Sequence, residues 1–358
     1  MSERAQPPRS GESDGEVEDL VGYFVEDMAY HGKSERTQEA YERVLRRFEA
    51  FLAEFDTDPE GADRRDCLAW VHELRGEHAE STVATYASYL NRFYSYMGQV
   101  GAVDGNPMAL VTQEMDEAID TDPTRREVSV DAMREFVGDV AHPLERAVIV
   151  GLLKTGLRVG ELCNLDLRDV NLDARGVEAV YDLGTRGQLD GHPDTLYVDP
   201  AMSRGETANG EARTASNKRK RGTLVPVDGE LKAELVRWLA IRPDSPSAAA
   251  PLFVSTRAAW GERLTPEMVR GFVRDHAERR GWYREGGDAA ENVTPHYFRH
   301  FFTTHLRDRT GDRGVVKYLR GDVADDIIDT YTHNWGDRVR EVYLEHVYSL
   351  TSRPTADS

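Results

Sequence analysis

The 358-residue sequence is short of cysteine, of lysine and of long apolar runs. Its two cysteines, Cys67 and Cys163, lie in separate segments, which excludes a disulfide framework and a cysteine-based zinc site. The longest apolar stretch, residues 147–153, is far shorter than the ~20 residues that a membrane span needs. The N-terminus lacks the apolar core of a secretory signal peptide. The sequence therefore predicts a reduced cytoplasmic protein with no membrane contact and no metal site.

Lysine supplies only six of the 45 basic residues, and arginine supplies the other 39. Against 64 acidic residues these leave a net charge of −19. Taken alone, this charge argues against nucleic-acid binding. An acid excess with little lysine is typical of proteins from salt-accumulating halophiles, whereas a GC-rich genome would explain the arginine but not the charge. We therefore expect a halophilic source, where ~1 M salt shortens the Debye length to ~3 Å and lets a local basic patch act.

The apolar pattern predicts a fold that is mainly α with a small antiparallel β-sheet. Apolar residues recur at helical spacing through residues 17–111, with Ser34 and Ser81 as predicted helix N-caps. Residues 112–127 are polar and acidic and predict a linker. In residues 128–350, helical segments surround three strand-like runs at 177–183, 195–198 and 223–227. Residues 1–16 and 351–358 are predicted to be disordered.

Three motifs in the second domain carry residues suited to chemistry. TGLRVGEL at residues 155–162 places Arg158 and Glu161 three apart, just after a glycine that ends a buried helix. TPHYFRHFFTTHL at residues 294–306 begins a helix with His296 and Arg299 on one face. DTYTH at residues 329–333 places Tyr331 32 residues after Arg299. Alone, each motif has an ordinary interpretation, such as a surface ion pair for Arg158 and Glu161. The order and spacing of the motifs give them their weight.

On these motifs the chain resembles the phage-integrase family of tyrosine recombinases, over about residues 17–350. The resemblance implies a helical core-binding (SAM-like) DNA-binding domain at residues 17–111 and an α+β catalytic domain at residues 128–350. It implies a site-specific recombinase that cuts and rejoins DNA through a 3′-phosphotyrosyl intermediate, without ATP, metal or another cofactor. The implied partners are double-stranded DNA and further copies of the chain, as a dimer to tetramer. The amphipathic end at residues 339–348 packs either on a neighbouring protomer or on its own core.

The resemblance also implies roles for individual residues. Arg158 and Arg299 match the arginines that clamp the phosphate, and a guanidinium suits this task because it binds two oxygens and stays charged. Tyr331 matches the nucleophile, which needs nearby cations or a base because the usual pKa of tyrosine is near 10. His296 is the predicted base and a member of the phosphate clamp.

The basic run NKRKRGTLVPV at residues 217–227 matches the hairpin that carries the general-acid lysine in the family. Counting back from Pro226 favours Lys218, with Lys220 as the second choice. Residues 204–221 hold six basic residues and two acidic ones, a local charge of +4. Such a run is often only a solvated surface, but here it is the predicted DNA-binding patch. Its predicted DNA contacts are Arg204, Arg213, Arg219, Lys220 and Arg221.

One position departs from the family pattern. Where the family has Leu-Gly-His before the nucleophile, this chain has LRGD, so Asp322 stands in place of the histidine. An ionised aspartate cannot donate a hydrogen bond to a phosphate oxygen. Three alternatives follow: another group, such as His300 or His333, supplies that contact, turnover is lower, or the register of the motif is shifted by a residue or two. The alternatives are therefore a weak or inactive DNA-binding architectural or regulatory protein on the same fold, or type IB topoisomerase-like DNA relaxation. The sequence does not separate an element integrase from a chromosome-dimer resolver.

Overall fold

The computed structural model describes residues 19–119, 124–322 and 335–351, with residues 335 and 336 described by their backbone only. The chain divides into two compact units, Met1–Asp122 and Pro123–Ser358. The predicted fold class is confirmed, since the described residues are mainly helical and form two small antiparallel sheets. The N-terminal segment 1–16 and the tail 352–358 lie outside the described residues. In the described parts of the chain, no helix combines the length and the apolarity that a membrane span requires.

The first unit is a set of helices whose apolar faces form one core. Ser34 caps the second helix as predicted, since its side chain accepts a hydrogen bond from the Thr37 amide. The prediction for Ser81 is wrong, because the fourth helix already begins at Glu80 after an extended Ala79. The helices described in this unit are α1 (Leu20–Tyr30), α2 (Glu35–Ala53), α3 (Arg64–Glu77), α4 (Glu80–Gln99) and α5 (Met108–Glu114), the last of which extends into the predicted linker.

The second unit surrounds the long buried helix α7 with further helices and two sheets. Pro143 begins α7, and every residue from Ala147 to Thr155 is buried. The helices described here are α6 (Val130–Gly138), α7 (Pro143–Thr155), α8 (Val159–Cys163), α9 (Arg175–Glu178), α10 (Gly229–Leu239), α11 (Pro266–Arg279), α12 (Pro295–Thr310), α13 (Arg313–Arg320) and α14 (Trp335–His346). The strands are β1 (Val170–Asn171), β2 (Thr195–Val198), β3 (Thr207–Ala208), β4 (Glu211–Ala212) and β5 (Thr223–Pro226).

The larger sheet has the strand order β1-β2-β5, with both pairs antiparallel. Two of the three predicted strands are confirmed as β2 and β5. The predicted strand at residues 177–183 is wrong, because these residues continue from the short helix α9 into a loop. Val177 enters the core, Val180 is 72% exposed, and the Tyr181 hydroxyl donates to the Leu239 carbonyl 3.0 Å away. These contacts bind the loop to α10 instead of to a neighbouring strand.

The C-terminal end packs on the core of its own unit. Val339, Tyr343 and Tyr348 are buried, and the Tyr343 hydroxyl donates to the Lys154 carbonyl at 2.9 Å. The fully buried Lys154 ammonium pairs with Glu230 at 2.8 Å. Glu230 in turn accepts from the Leu350 amide, and these contacts outweigh burial and lower the pKa of Glu230 to about 2. Of the two interpretations of the amphipathic end, the structure has the one in which it closes its own core.

Candidate functional site

The turn between α7 and α8 fixes Arg158 through a buried carboxylate. Gly156 ends α7 with φ +62°, and a Cβ there would lie 2.2 Å from the Phe302 ring, so only glycine lets α12 approach. Arg158 immediately precedes α8. The Glu161 carboxylate accepts from the backbone amide and from Nη1 of Arg158, both at 2.9 Å. Because Glu161 is fully buried, the interpretation of this pair as a surface ion pair is wrong.

Helix α12 buries Arg299 against the same turn. Thr294 caps the helix, and its first residue is a proline, as predicted. The Arg299 guanidinium donates to the Gly156 carbonyl at 2.6 Å and to the Arg320 carbonyl at 2.9 Å. Burial and the adjacent Arg158 charge lower the pKa of Arg299 to about 10, so it remains charged at neutral pH. Arg299 thus connects the ends of α7 and α13.

Three arginines converge on the Asp322 carboxylate. Asp322 Oδ1 lies 2.8 Å from Nη2 of Arg158 and 2.9 Å from Nη2 of Arg299. Its Oδ2 lies 2.9 Å from Nη2 of Arg320. The side chains of Arg158, Asp322 and Arg320 are 31%, 29% and 33% exposed. The arrangement is therefore an anion site that opens to solvent.

His296 lies on the first turn of α12, one turn before Arg299. One side of the residue is exposed, yet the protein around it and the positive charges of Arg125, Arg299 and two further site arginines lower its pKa below 6.5. A histidine with a lowered pKa is neutral at neutral pH and can accept a proton. The structure therefore brings a proton acceptor next to the arginine site.

Burial alternates along the segment that carries the two candidate lysines. Asn217 and Arg219 are buried, whereas Lys218 and Lys220 are exposed. Arg219 Nη2 donates to Glu161 at 3.1 Å, which anchors the segment to the carboxylate that holds Arg158. The segment that carries both lysines is therefore anchored to the site through Arg219. The choice between Lys218 and Lys220 stays a prediction.

Two members of the predicted DNA-binding patch are internal. Arg213 is 2% exposed, and its guanidinium bonds Asp166 at 2.8 Å and 3.1 Å. Arg219 is 6% exposed and is held by Glu161. We therefore correct Arg213 and Arg219 from DNA contacts to internal ion-pair partners, because each charge already has a buried carboxylate. Of the remaining patch residues, Arg204 and Lys220 are exposed and Arg221 is half-buried.

Tyr331 and His333 lie outside the described residues. His300 is on α12, and its Nε2 is 3.5 Å from the Thr304 hydroxyl. Residues 19–119, 124–322 and 335–351 contain no cluster of three or more His, Cys, Asp or Glu side chains that could hold a metal ion.

Arg320 was not among the predicted site residues, although it contacts Asp322 directly. A signal for it exists in the sequence. The LRGD motif places an arginine two residues before the aspartate that replaces the family's histidine. An arginine two residues before an unexpected aspartate is a pattern that predicts an ion pair.

Family models match both units of the chain. The model described as the phage integrase N-terminal SAM-like domain matches residues 22–99. The model described as the phage integrase family matches residues 201–337, which include His296, Arg299 and Asp322.

Relatives and solved structures match over nearly the whole chain. Tyrosine recombinase XerD of Pseudomonas aeruginosa is 28% identical, with 91% of this chain and 96% of the relative covered. Tyrosine recombinase XerC of Pelobacter propionicus is 26% identical, with coverages of 90% and 92%. The Tn1549 transposon integrase bound to transposon right end DNA shares the fold at a TM-score of 0.63 and 19% identity, with coverages of 90% and 97%. A lambda integrase tetramer bound to a Holliday junction has a TM-score of 0.59 at 16% identity, with coverages of 86% and 77%.

Proposed function

The chain belongs to the phage integrase family and is a tyrosine-type site-specific recombinase, and from this premise we propose how its own residues cut and rejoin DNA. One observation carries the proposal. Arg158 and Arg299 each place a guanidinium nitrogen within 3 Å of the same anionic oxygen. A phosphodiester at that point would be held by two permanent positive charges.

In the proposed reaction, the Tyr331 hydroxyl oxygen attacks the phosphorus of the scissile phosphodiester. A P–O bond to the tyrosine forms, and the bond between phosphorus and the 5′-oxygen breaks. Arg158 and Arg299 stabilise the charge on the non-bridging oxygens. His296 accepts the tyrosine proton, and Lys218, or Lys220 as the second choice, donates a proton to the leaving 5′-oxygen. A 5′-hydroxyl from a second strand then reverses the steps, so the phosphodiester energy is conserved and no step calls for ATP.

The DNA-contacting surface of the second unit is proposed to include Arg204, Lys220 and Arg221. Arg204 and Lys220 are exposed and Arg221 is partly exposed, which supports this role, since a phosphate can reach only side chains that face solvent. The net charge of −19 opposes DNA binding at low salt. We further propose that the protein acts in the cytoplasm of a halophile, where high salt screens the acidic surface to within ~3 Å.

Recombination joins two duplexes and cuts both strands of each, so it requires four nucleophiles in one assembly. We propose that four copies of this chain assemble on the paired DNA. The tetramer of lambda integrase on a Holliday junction is a precedent in a protein of the same fold. The biological role, as an element integrase or a dimer resolver, depends on the DNA target.

The test is covalent trapping of full-length protein on fragmented DNA from its own source, in multimolar KCl. Denaturing electrophoresis detects a protein–DNA adduct, and sequencing of the trapped ends identifies the target. We expect an adduct from the wild type and none from Tyr331→Phe, because phenylalanine lacks the attacking oxygen.

Three results would contradict the proposal. An adduct that survives in Tyr331→Phe would assign the nucleophile elsewhere. DNA binding without any adduct from the wild type would favour a catalytically inactive DNA-binding protein. Relaxation of supercoiled DNA by isolated monomers, without strand exchange, would instead favour the topoisomerase-like alternative.

A further inference from the structure

The Asp322 carboxylate lies where the proposed function needs a phosphate. Its Oδ1 bridges Arg158 and Arg299 at 2.8 Å and 2.9 Å. A carboxylate and the two non-bridging oxygens of a phosphodiester offer a guanidinium the same paired acceptors. We propose that Arg320 is a third phosphate-binding arginine of this site and that Asp322 marks, in the DNA-free protein, the position the phosphate takes. This inference rests on the proposed function.

The charge balance favours an incoming anion. Four arginines, Arg158, Arg219, Arg299 and Arg320, meet two carboxylates, Glu161 and Asp322. Glu161 is fully buried and holds Arg158 and Arg219, so it is not exchangeable. Asp322 is 29% exposed and is the carboxylate that can move aside. Even with Asp322 in place, the cluster keeps an excess of positive charge that a phosphate can neutralise.

The backbone of Arg320 is held in position by contacts that do not depend on Asp322. It is the last residue of α13, and its carbonyl accepts from Arg299 Nη2 at 2.9 Å. Gly321 follows with φ +72°, and a Cβ there would lie 2.9 Å from the Arg219 guanidinium carbon. The backbone on both sides of the Arg320 side chain is therefore fixed by two arginines of the site. Its guanidinium stays in reach of the anion position when the carboxylate leaves.

Arg320 also supplies a hydrogen-bond donor, which the site loses when Asp322 replaces the family's histidine. The family's histidine can donate a hydrogen bond to a phosphate oxygen, whereas an ionised aspartate cannot. A guanidinium carries five N–H donors and keeps its charge at any working pH. In LRGD the arginine supplies the donor that the replaced histidine would have supplied, and the aspartate keeps the donor aimed until DNA arrives.

The experiment measures the affinity of full-length protein for inorganic phosphate, by ³¹P nuclear magnetic resonance at constant chloride concentration. Asp322→Asn keeps the side-chain shape and removes the competing charge, so we expect phosphate to bind about tenfold more tightly. Arg320→Gln is made in the Asp322→Asn background. There it removes one charged donor, and its effect cannot come from a displaced Asp322 carboxylate. We expect roughly tenfold weaker binding there, with partial recovery in Arg320→Lys.

Arg313→Gln is the matched control, because it removes the same charge from an exposed position at the other end of α13. It should change phosphate affinity less than about twofold, since exposed charges are strongly screened. Arg158→Gln should weaken binding as well, which assigns the measured phosphate to this site.

The inference is overturned if Arg320→Gln weakens phosphate binding no more than Arg313→Gln does. It is equally overturned if Asp322→Asn leaves the affinity unchanged. Binding of inorganic phosphate involves no DNA cleavage, so this measurement is independent of adduct formation. The variants could show the expected changes in phosphate affinity while the wild type forms no DNA adduct. That combination would contradict the proposed function but not the assignment of Arg320 to an anion site.

Discussion

Two clusters in the second unit are both built from arginines and carboxylates, but they differ in burial and in charge balance. In the closed cluster, Asp166 is fully buried between Arg213 and Arg263, and Arg263 also binds Glu211. Two positive charges there meet two negative ones. In the open cluster around Asp322, four arginines meet two carboxylates and the carboxylate at the centre reaches solvent.

This comparison gives a way to separate arginines that only stabilise the fold from arginines that are free to bind an anion. A buried cluster with balanced charge has no reason to bind another anion, because each desolvated ion already has its partner. An exposed cluster with excess positive charge still gains from an anion. Burial and charge balance together, and not the density of basic residues, point to the phosphate site.

The largest expected difference between the two clusters is in how much each carboxylate contributes to the stability of the protein. Asp166→Asn removes the carboxylate from the buried Arg213 and leaves the buried Arg263 with Glu211 only, so we expect a loss of about 3–5 kcal/mol in the free energy of unfolding. The pKa of Asp166 already indicates this dependence, since burial alone would raise it but Arg213 and Arg263 lower it. Denaturant unfolding in KCl measures the effect.

The matched variant is Asp322→Asn, which makes the same change in the open cluster. Because Asp322 is 29% exposed, we expect a change of less than about 1 kcal/mol. Equal losses of stability in the two variants would remove the distinction between the clusters.

The second effect concerns catalysis. Arg158→Gln removes one of the two proposed phosphate clamps, and the rate of adduct formation should fall by about 10²–10³-fold. Stability should change by less than about 1 kcal/mol, since Arg158 is 31% exposed and Glu161 keeps Arg219 as a partner. Quench-flow trapping on the recovered target DNA measures the rate, with Arg313→Gln as the control. A variant that cuts at the wild-type rate would show that Arg158 does not contact the reacting phosphate.

Much of the fold could be predicted from the sequence, because apolar spacing and caps act locally. The Ser34 hydroxyl accepts a hydrogen bond from an amide in the first turn of α2, and this cap was predicted correctly. The strand prediction for residues 177–183 was wrong, because a short β-branched run does not by itself distinguish a strand from a loop.

The site residues that lie within one sequence motif could be predicted. Residues whose burial depends on partners distant in sequence could not. His296 and Arg299 follow from one helix and its proline start. The burial of Arg213 and Arg219 depends on Asp166 and Glu161, which lie 47 and 58 residues away in sequence. A basic run therefore could not reveal which of its arginines face DNA, since charge alone says nothing about such partners.

The smallest effect is a shift in pH dependence. The pKa of His296 lies below 6.5 because of the surrounding protein and the charges of Arg125, Arg299 and other arginines of the open cluster. A base works in its neutral form, so the rate of adduct formation should be flat near pH 7 and fall as the pH drops through this lowered pKa. Arg125→Gln removes one positive charge, which raises the pKa of His296 and moves the fall in rate to higher pH.

The control is Arg213→Gln, which removes a charge from the balanced closed cluster. The fraction of this variant that stays folded should keep the wild-type pH profile. If Arg125→Gln leaves the profile unchanged, or if the profile persists in His296→Gln, then the fall in rate does not report a proposed base at His296 whose pKa the surrounding arginines lower.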